Sequence, residues 1–377
     1  MGENLLIKNG LILDIGSGFQ YDKRDILIEN GIITMISKNI KKDDFKTFDA
    51  SGLILSPGFI DVHVHCYYGS TAIGISPSDI GAQTGVTTLI DAGTSGANNI
   101  DDFYKRIIRN SATRVFVLLN TASDGLVTLS ELSEDGAISA DMIKNKIAEY
   151  SKIIIGLKAR ASSSVLKEKG ITPIKASKKI AEELNLPLVV HIGNAPPRVE
   201  EVLEIVTKGD VITHCYHNKP NGLFKKDGAP KPEVLRAKER GVLFDVGHGS
   251  SSFSFDIAVK AIENGFEPDF IGSDIYDKNK YTVVKSLENT MNKIIASGLE
   301  VEDVIKKVTN DPAGHYKLEG LGFLRQGFKG DITAYKINDS ITTLRDSLGI
   351  EMKSRKWIES KYTVVDGTLY KVNDGGK

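Results

Sequence analysis

Six residues of this 377-residue chain are of the types that bind and activate metal ions: His63 and His65 in the run Asp61-Val62-His63-Val64-His65, then Lys158, His191, His214 and Asp274. Neutral imidazoles and a carboxylate are the donors that Zn2+ and similar divalent cations take. A His-x-His on a strand sends both rings to one face, because side chains alternate, so the pair can share one ion. A lone histidine is most simply a hydrogen-bonded core or loop residue. Six such residues at predicted strand ends are not explained that way and point to a metal site. Lys158 is the odd member, since a buried ammonium beside metal ligands repels the ion and resists desolvation. It must either lose its proton or be carbamylated by CO2 into an anion that bridges two metals. A lysine whose head snorkels to water is the plain alternative.

What positions these residues is legible in the hydrophobic pattern. Short apolar, β-branched runs recur at 59–63, 86–90, 115–119, 153–157, 188–191, 210–213, 242–245 and 270–273. Helix-period stretches such as Ser139–Tyr150, Pro173–Leu184 and Pro232–Arg240 lie between them. This is the rhythm of parallel strands with crossover helices, and eight units fit a (β/α)8 TIM barrel better than a doubly wound sheet. Barrel chemistry gathers at the C-terminal strand ends. There the candidates fall: His63 and His65 on strand one, Lys158 on four, His191 on five, His214 on six and Asp274 on eight, with His248 trailing strand seven.

Both chain ends read differently. Leu5–Lys8, Asp25–Ile28 and Ile32–Ile36 are β-like runs separated by the turn pairs Asn9-Gly10 and Asn30-Gly31. Asp331–Tyr335 and Tyr362–Val365, the latter followed by Asp366-Gly367, return to the same texture. The expectation is an α/β chain: a catalytic barrel over 56–324 and a small β-sandwich built from 1–55 and 325–377. The final residues from Asn373 onward are expected to fray.

Composition excludes several classes. Lys and Arg number 48 against 49 Asp and Glu, a net charge of −1, so no basic excess exists to neutralise phosphates and no nucleic-acid partner is expected. No apolar run approaches the ~18 residues of a membrane span, and Met1-Gly2-Glu3-Asn4 lacks the order of a signal peptide. Two cysteines, Cys66 and Cys215, cannot form a disulfide framework in a chain this long. A cytoplasmic protein with a small-molecule substrate is the expectation, and a homo-oligomer is compatible with it.

The run Gly58-Phe59-Ile60-Asp61-Val62-His63-Val64-His65 resembles the opening motif of the amidohydrolase superfamily, and Lys158, His191, His214 and Asp274 follow in that superfamily's order. Asn310-Asp311-Pro312-Ala313 and Gly327-Phe328-Lys329-Gly330-Asp331 resemble its return to the small domain. Gly156–Arg160, His191–Pro197 and Phe244–Gly249 are similar to a bacterial branch variously described as deacetylase, dihydroorotase-like or adenine deaminase-like.

The resemblance implies two divalent ions, Zn2+ suiting the donors best, with His63, His65 and Asp274 on one and His191 with His214 on the other. A CO2-derived carbamate on Lys158 would bridge them. A metal-bridging hydroxide would then attack an amide or ester acyl bond of a small acyl-carboxylate, with Asp274 carrying the proton. The alternatives are a cyclic amidase of dihydroorotase or hydantoinase type, an adenine deaminase-like aminohydrolase, and a non-catalytic scaffold. Dihydroorotases carry an arginine two residues after the His-x-His, where this chain has Tyr67. Adenine aminohydrolases usually bridge their metals with a glutamate, where this chain has Lys158.

Arg160, two residues beyond Lys158, shares its face if the strand continues and is read as gripping a substrate carboxylate, with a rim salt bridge as the alternative. His248, flanked by Gly247 and Gly249, is read as a substrate contact. Cys66 and Cys215 are read as packed thiols and His315 as structural. His217 touches substrate or faces solvent, and Asp91 either orients a ligand histidine or caps a turn.

Overall fold

The structure, a computed structural model, describes residues 2–373; of the expected frayed end only Asn373 lies among them. Two β-sheets organise the chain. The first is a mixed sheet made from both chain ends: β1 (Leu5–Asp14), β2 (Phe19–Glu29), β3 (Ile32–Ser37), β4 (Thr47–Asp49) and β5 (Ile54–Pro57) are joined, after the second sheet, by three C-terminal strands. The second is parallel throughout: β6 (Phe59–Val64), β7 (Val86–Ala92), β8 (Arg114–Asn120), β9 (Ile154–Ala161), β10 (Leu188–Ile192), β11 (Val211–Thr213) and β12 (Leu243–Asp245). Its spatial order follows sequence order, as right-handed βαβ connections give. The three late strands are β13 (Ile332–Arg345), β14 (Glu351–Val365) and β15 (Thr368–Lys371). β13 pairs antiparallel with β5, which ties the two chain ends into one eight-stranded sheet around its own apolar core of Leu5, Ile7, Ile26, Leu55, Ile332 and neighbours.

The helices Ala140–Glu149, Thr172–Leu184 and Pro232–Glu239 stand where the periodicity places them. Asn30-Gly31 and Asp366-Gly367 are tight turns with positive φ at both residues, as two-residue hairpins require. Asn9-Gly10 is not a turn. Asn9 (φ 64°) sits in a bulge within the ten-residue β1, its N–H donating to Asp25 Oδ1 at 2.9 Å, because a left-handed asparagine serves a bulge as well as a turn.

The expected eighth barrel strand is also corrected. Residues 270–275 form only single bridges, Asp245 with Phe270 and Val64 with Ile275. The reason is where their donors go: Gly272 N–H donates to Asp245 Oδ1 (2.7 Å) and Ser273 N–H to Asp61 Oδ1 (3.0 Å). Carboxylates replace the ladder partner. The stretch still closes the curl, since Asp274 N–H donates to the His63 carbonyl at 2.7 Å and His248 N–H to that of Gly272 at 3.1 Å. The architecture is therefore TIM-barrel-like, with seven regular parallel strands and an irregular eighth position. Among the described residues no helix is long and apolar enough to cross a membrane.

Candidate metal centre

β6 carries His63 and leads into His65, and both rings are buried. Their Nε2 atoms converge on Asp274 Oδ1, at 3.5 Å from His63 and 3.1 Å from His65. One ligand atom from each of these three residues lies within 4.8 Å of the others. His214 follows β11, with its ring 5.3 Å from that of His63 and its Nε2 2.7 Å from His191 Nδ1. Lys158 lies inside β9 rather than at its end, fully buried, with Nζ 3.2 Å from His63 Nε2. All six residues thus meet in one cluster, His63, His65, Lys158 and His214 buried and His191 and Asp274 partly buried. Asp274 (φ 50°) and His214 (φ 73°) both hold left-handed backbone, a strained state for non-glycine residues that the surrounding structure must enforce.

The hydrogen bonds behind the rings fix their tautomers. Thr94 Oγ1 donates its proton to Asp91 Oδ2 (2.8 Å), so it can only accept from His65 Nδ1–H (2.8 Å). Thr213 Oγ1 donates likewise to Asp245 Oδ2 (2.6 Å) and accepts from His63 Nδ1–H (2.9 Å). His214 Nδ1–H donates to the Gly247 carbonyl at 2.6 Å. In the neutral imidazoles each Nε2 is therefore left as a bare lone pair directed at its neighbours. Two such lone pairs facing a carboxylate oxygen repel one another unless a cation lies between them. The donor set fits a divalent metal ion, with outer partners of the kind metal-ligating histidines use.

Electrostatics agree. Burial pushes His63, His191 and His214 below the ordinary histidine range, keeping them neutral. Burial also lowers Lys158 to about 8 against the pull of Asp274 and Asp245, which leaves its amine far more available to CO2 than a surface lysine.

The remaining candidates sort by what they touch. β9 continues to Ala161, so Arg160 does share Lys158's face. Its Nη1 donates to Glu131 at 3.1 Å, a carboxylate whose side chain is 1% exposed. His248 is buried with both ring nitrogens engaged: Nδ1 faces the Gly249 carbonyl and Nε2 accepts from Lys293 Nζ, both at 2.8 Å. The flanking glycines serve the centre. A Cβ at Gly247 would strike Thr213 Oγ1, and one at Gly249 would strike Asp274 Oδ2. Tyr67 is buried with its hydroxyl donating to Asp102 (2.8 Å), so it does not stand in for a substrate-binding arginine.

Cys66 and Cys215 are free, buried and packed in the barrel core. His217 is buried, not solvent-facing, and accepts from Lys219 N–H at 3.1 Å. His315 packs against Phe270 and Tyr316, away from the cluster. Asp91 orients His65 through Thr94. The roles of Thr94, Thr213 and Asp245 escaped the sequence reading, which took Gly247 only as allowing close approach to a ligand; the places of Thr213 and Asp245 at strand ends were the one hint.

Fold and centre together define a metal-dependent hydrolase barrel. The model of the amidohydrolase family matches residues 54–368, and this chain belongs to that family. A deacetylase of Enterococcus faecalis is 36% identical over 98% of this chain and 100% of its own length, and a deacetylase of Agrobacterium fabrum is 36% identical over 96% and 90%. Two crystal structures superpose with TM-score 0.92. One, described as an adenine deaminase, is 35% identical over 98% of this chain and 100% of its own, and the other, described as a dihydroorotase, is 34% identical over 98% of each.

Proposed function

We propose that this chain hydrolyses an amide or ester acyl bond in a small carboxylate-bearing substrate, as a deacetylase-like amidohydrolase. The observation that carries the reading is the set of proton-free Nε2 atoms held around Asp274 beside the buried Lys158. His63, His65 and Asp274 would hold one divalent ion and His191 with His214 another, Zn2+ being the ion that suits them best. Lys158 would bridge them after its neutral amine adds CO2 and loses a proton. Such ions, when bound, supply Lewis acidity toward a carbonyl oxygen and lower the pKa of water. Asp274 takes the proton of the attacking water on a carboxylate oxygen and returns it to the leaving nitrogen or oxygen. One acyl–N or acyl–O bond is broken and one acyl–OH bond formed, with no other reactant. Arg160, whose Nε and Nη2 are not engaged by Glu131, would face the substrate carboxylate.

Relatives of nearly equal identity, 34–36%, carry three different activity names, so identity does not choose among them. Tyr67, bound to Asp102, counts against a dihydroorotase, and Lys158 in the bridging place counts against an adenine aminohydrolase. The same reading takes residues 1–55 with 325–377 as a small β-sandwich and 56–324 as the barrel, supported by the mixed sheet that joins both ends. It places the protein in the cytoplasm with a small-molecule substrate, without nucleic-acid or membrane partners, and allows a homo-oligomer. The test is metal analysis of protein purified with bicarbonate, then a screen of N-acyl amino acids and O-acyl hydroxy acids in both enantiomers beside dihydroorotate, hydantoin and adenine. Turnover of an acyl-acid with about two metals per chain is expected. Turnover of the ring substrates alone would overturn the reading.

A further inference from the structure

The loop after β12, residues 246–254, touches the centre twice. The Gly247 carbonyl accepts the proton that fixes the tautomer of His214, and Gly249 lies so close to Asp274 that no side chain fits there. The loop is held from two sides: the N–H groups of Val246, His248 and Gly249 donate to the Phe270, Gly272 and Ser273 carbonyls at 3.1, 3.1 and 3.0 Å, and further pins come from outside the barrel's own strands. The tip of the long β13–β14 hairpin, residues 346–350, reaches it from the mixed sheet. Ser347 N–H donates to the Phe253 carbonyl at 3.1 Å, and its hydroxyl donates to the Gly249 carbonyl at 3.3 Å. Asp346 is fully buried. Its Oδ2 accepts from Phe255 N–H at 3.0 Å, where the loop enters the helix Phe255–Glu263, and its Oδ1 accepts from Leu348 and Ile350 N–H at 2.8 and 2.9 Å.

A second support arrives through the helix Leu287–Ala296. Lys293, fully buried on that helix, donates to His248 Nε2 at 2.8 Å and also to the Val283 carbonyl. His248 stacks on Phe253 with ring centroids 4.8 Å apart. The helix is itself fastened to β14, since Asn292 exchanges two hydrogen bonds with the Ile358 backbone at 2.9 and 2.7 Å. Both supports therefore start on the β13–β14 hairpin and end on the loop that touches His214 and Asp274.

We infer that the β13–β14 hairpin is a working part of the catalytic centre, with Ser347, Asp346 and Lys293 as positioning residues that set the ring of His214 through the Gly247–Phe253 loop. Apart from the contact of its Nε2 with His191 Nδ1 at 2.7 Å, the hydrogen bond of 2.6 Å to the Gly247 carbonyl is what holds the proton of His214 on Nδ1. A carbonyl on a glycine-rich loop does this only if the loop is pinned; residues 270–273 hold the backbone N–H groups on either side of Gly247, and the hairpin pins the Gly249 and Phe253 carbonyls from the other side. In its metal consequences the inference rests on the function proposed above; in its tautomer consequence it does not.

The experiment reads both. Two-bond 15N–1H NMR of metal-free, 15N-histidine-labelled protein is expected to show His214 as a single Nδ1–H tautomer in the wild type. Lys293→Met removes the donor to His248 while keeping an apolar stem, and Ser347→Ala removes one hydroxyl at the tip. Each is expected to raise the Nε2–H fraction of His214 at least tenfold. Lys293→Met should also weaken metal binding by about 10–100-fold, the usual effect of losing an outer support, with the far-UV CD spectrum unchanged. If Lys293→Met does not fold, Ser347→Ala and Asp346→Asn decide the matter. A lower Tm in the folded variants with unchanged His214 tautomer and unchanged metal affinity would show a purely structural role and overturn the inference. A wild type that binds no metal, with the tautomer shift intact in the variants, would sink the proposed function and leave the positioning role standing.

Discussion

At the scale of single residues, the sharpest expectation concerns Asp274. Its backbone is anchored independently of its carboxylate, N–H to the His63 carbonyl at 2.7 Å and carbonyl to Asn279 Nδ2 at 2.7 Å. Asp274→Asn should therefore fold normally and lose kcat by about 10²–10⁴, the contribution of a general base; steady-state kinetics with a CD spectrum check this. Arg160 carries a second expectation. Removing it leaves Glu131 buried without its counter-charge, which costs about 3–5 kcal/mol when one partner of a buried pair is deleted. Arg160→Met should lower stability by that amount in urea titration, and Glu131→Gln added to it should restore most of the loss. Kinetics of the double variant on a matched acid and neutral substrate then separate anion recognition from a merely structural ion pair. The four histidines and Asp274 were legible because imidazole and carboxylate at predicted strand ends have few other uses in such number, and Lys158 because an ammonium buried beside them is otherwise unwelcome. Thr94, Thr213 and Asp245 were not, because a threonine or aspartate that acts on a ring nitrogen is indistinguishable in sequence from one that caps a turn.

At the scale of elements, the buried parallel strands were readable as continuous apolar runs, whereas the polar outer half of β13–β14 offered no alternating signal. The eighth barrel position was visible as an apolar run, but its hydrogen bonding was not, since Asp61 and Asp245 reach it only after the sheet has curled. The helix Leu287–Ala296 brings a testable consequence of its own. Glu288, on its first turn, accepts from Ser360 N–H of β14, and burial of its carboxyl raises its pKa to about 7. A carboxyl whose pKa is raised on folding binds its proton more tightly in the native state. Its stabilising share is complete below the unfolded value near 4.5 and is lost as pH rises to about 7. The stem of Glu288 is only partly buried, so the change across that window should be about 2 kcal/mol. Glu288→Gln, which keeps the acceptor, should flatten this part of the stability profile measured by urea unfolding from pH 4.5 to 7.5.

At the scale of the whole molecule, metal binding and folding should be linked. Chelation should abolish turnover and lower the apparent stability by about 4 kcal/mol relative to protein held at 1,000 times the dissociation constant, since ligands that bind only the native state stabilise by mass action. Readdition of Zn2+ should restore both, and restore them faster with bicarbonate present if Lys158 must be carbamylated; Lys158→Ala should lose the bicarbonate effect entirely. The joining of the two chain ends has a further consequence, for the order in which the molecule is made. Phe59 N–H bonds to Thr333 Oγ1 across 274 positions of sequence, and among the described residues β5 has no other partner on that side than β13. At 5–20 residues per second on the ribosome, β5 waits on the order of 14–55 s with that edge open. The nascent chain must therefore build and close much of its barrel while its first sheet is still half made, and a message truncated before residue 332 would leave that edge unpaired for good.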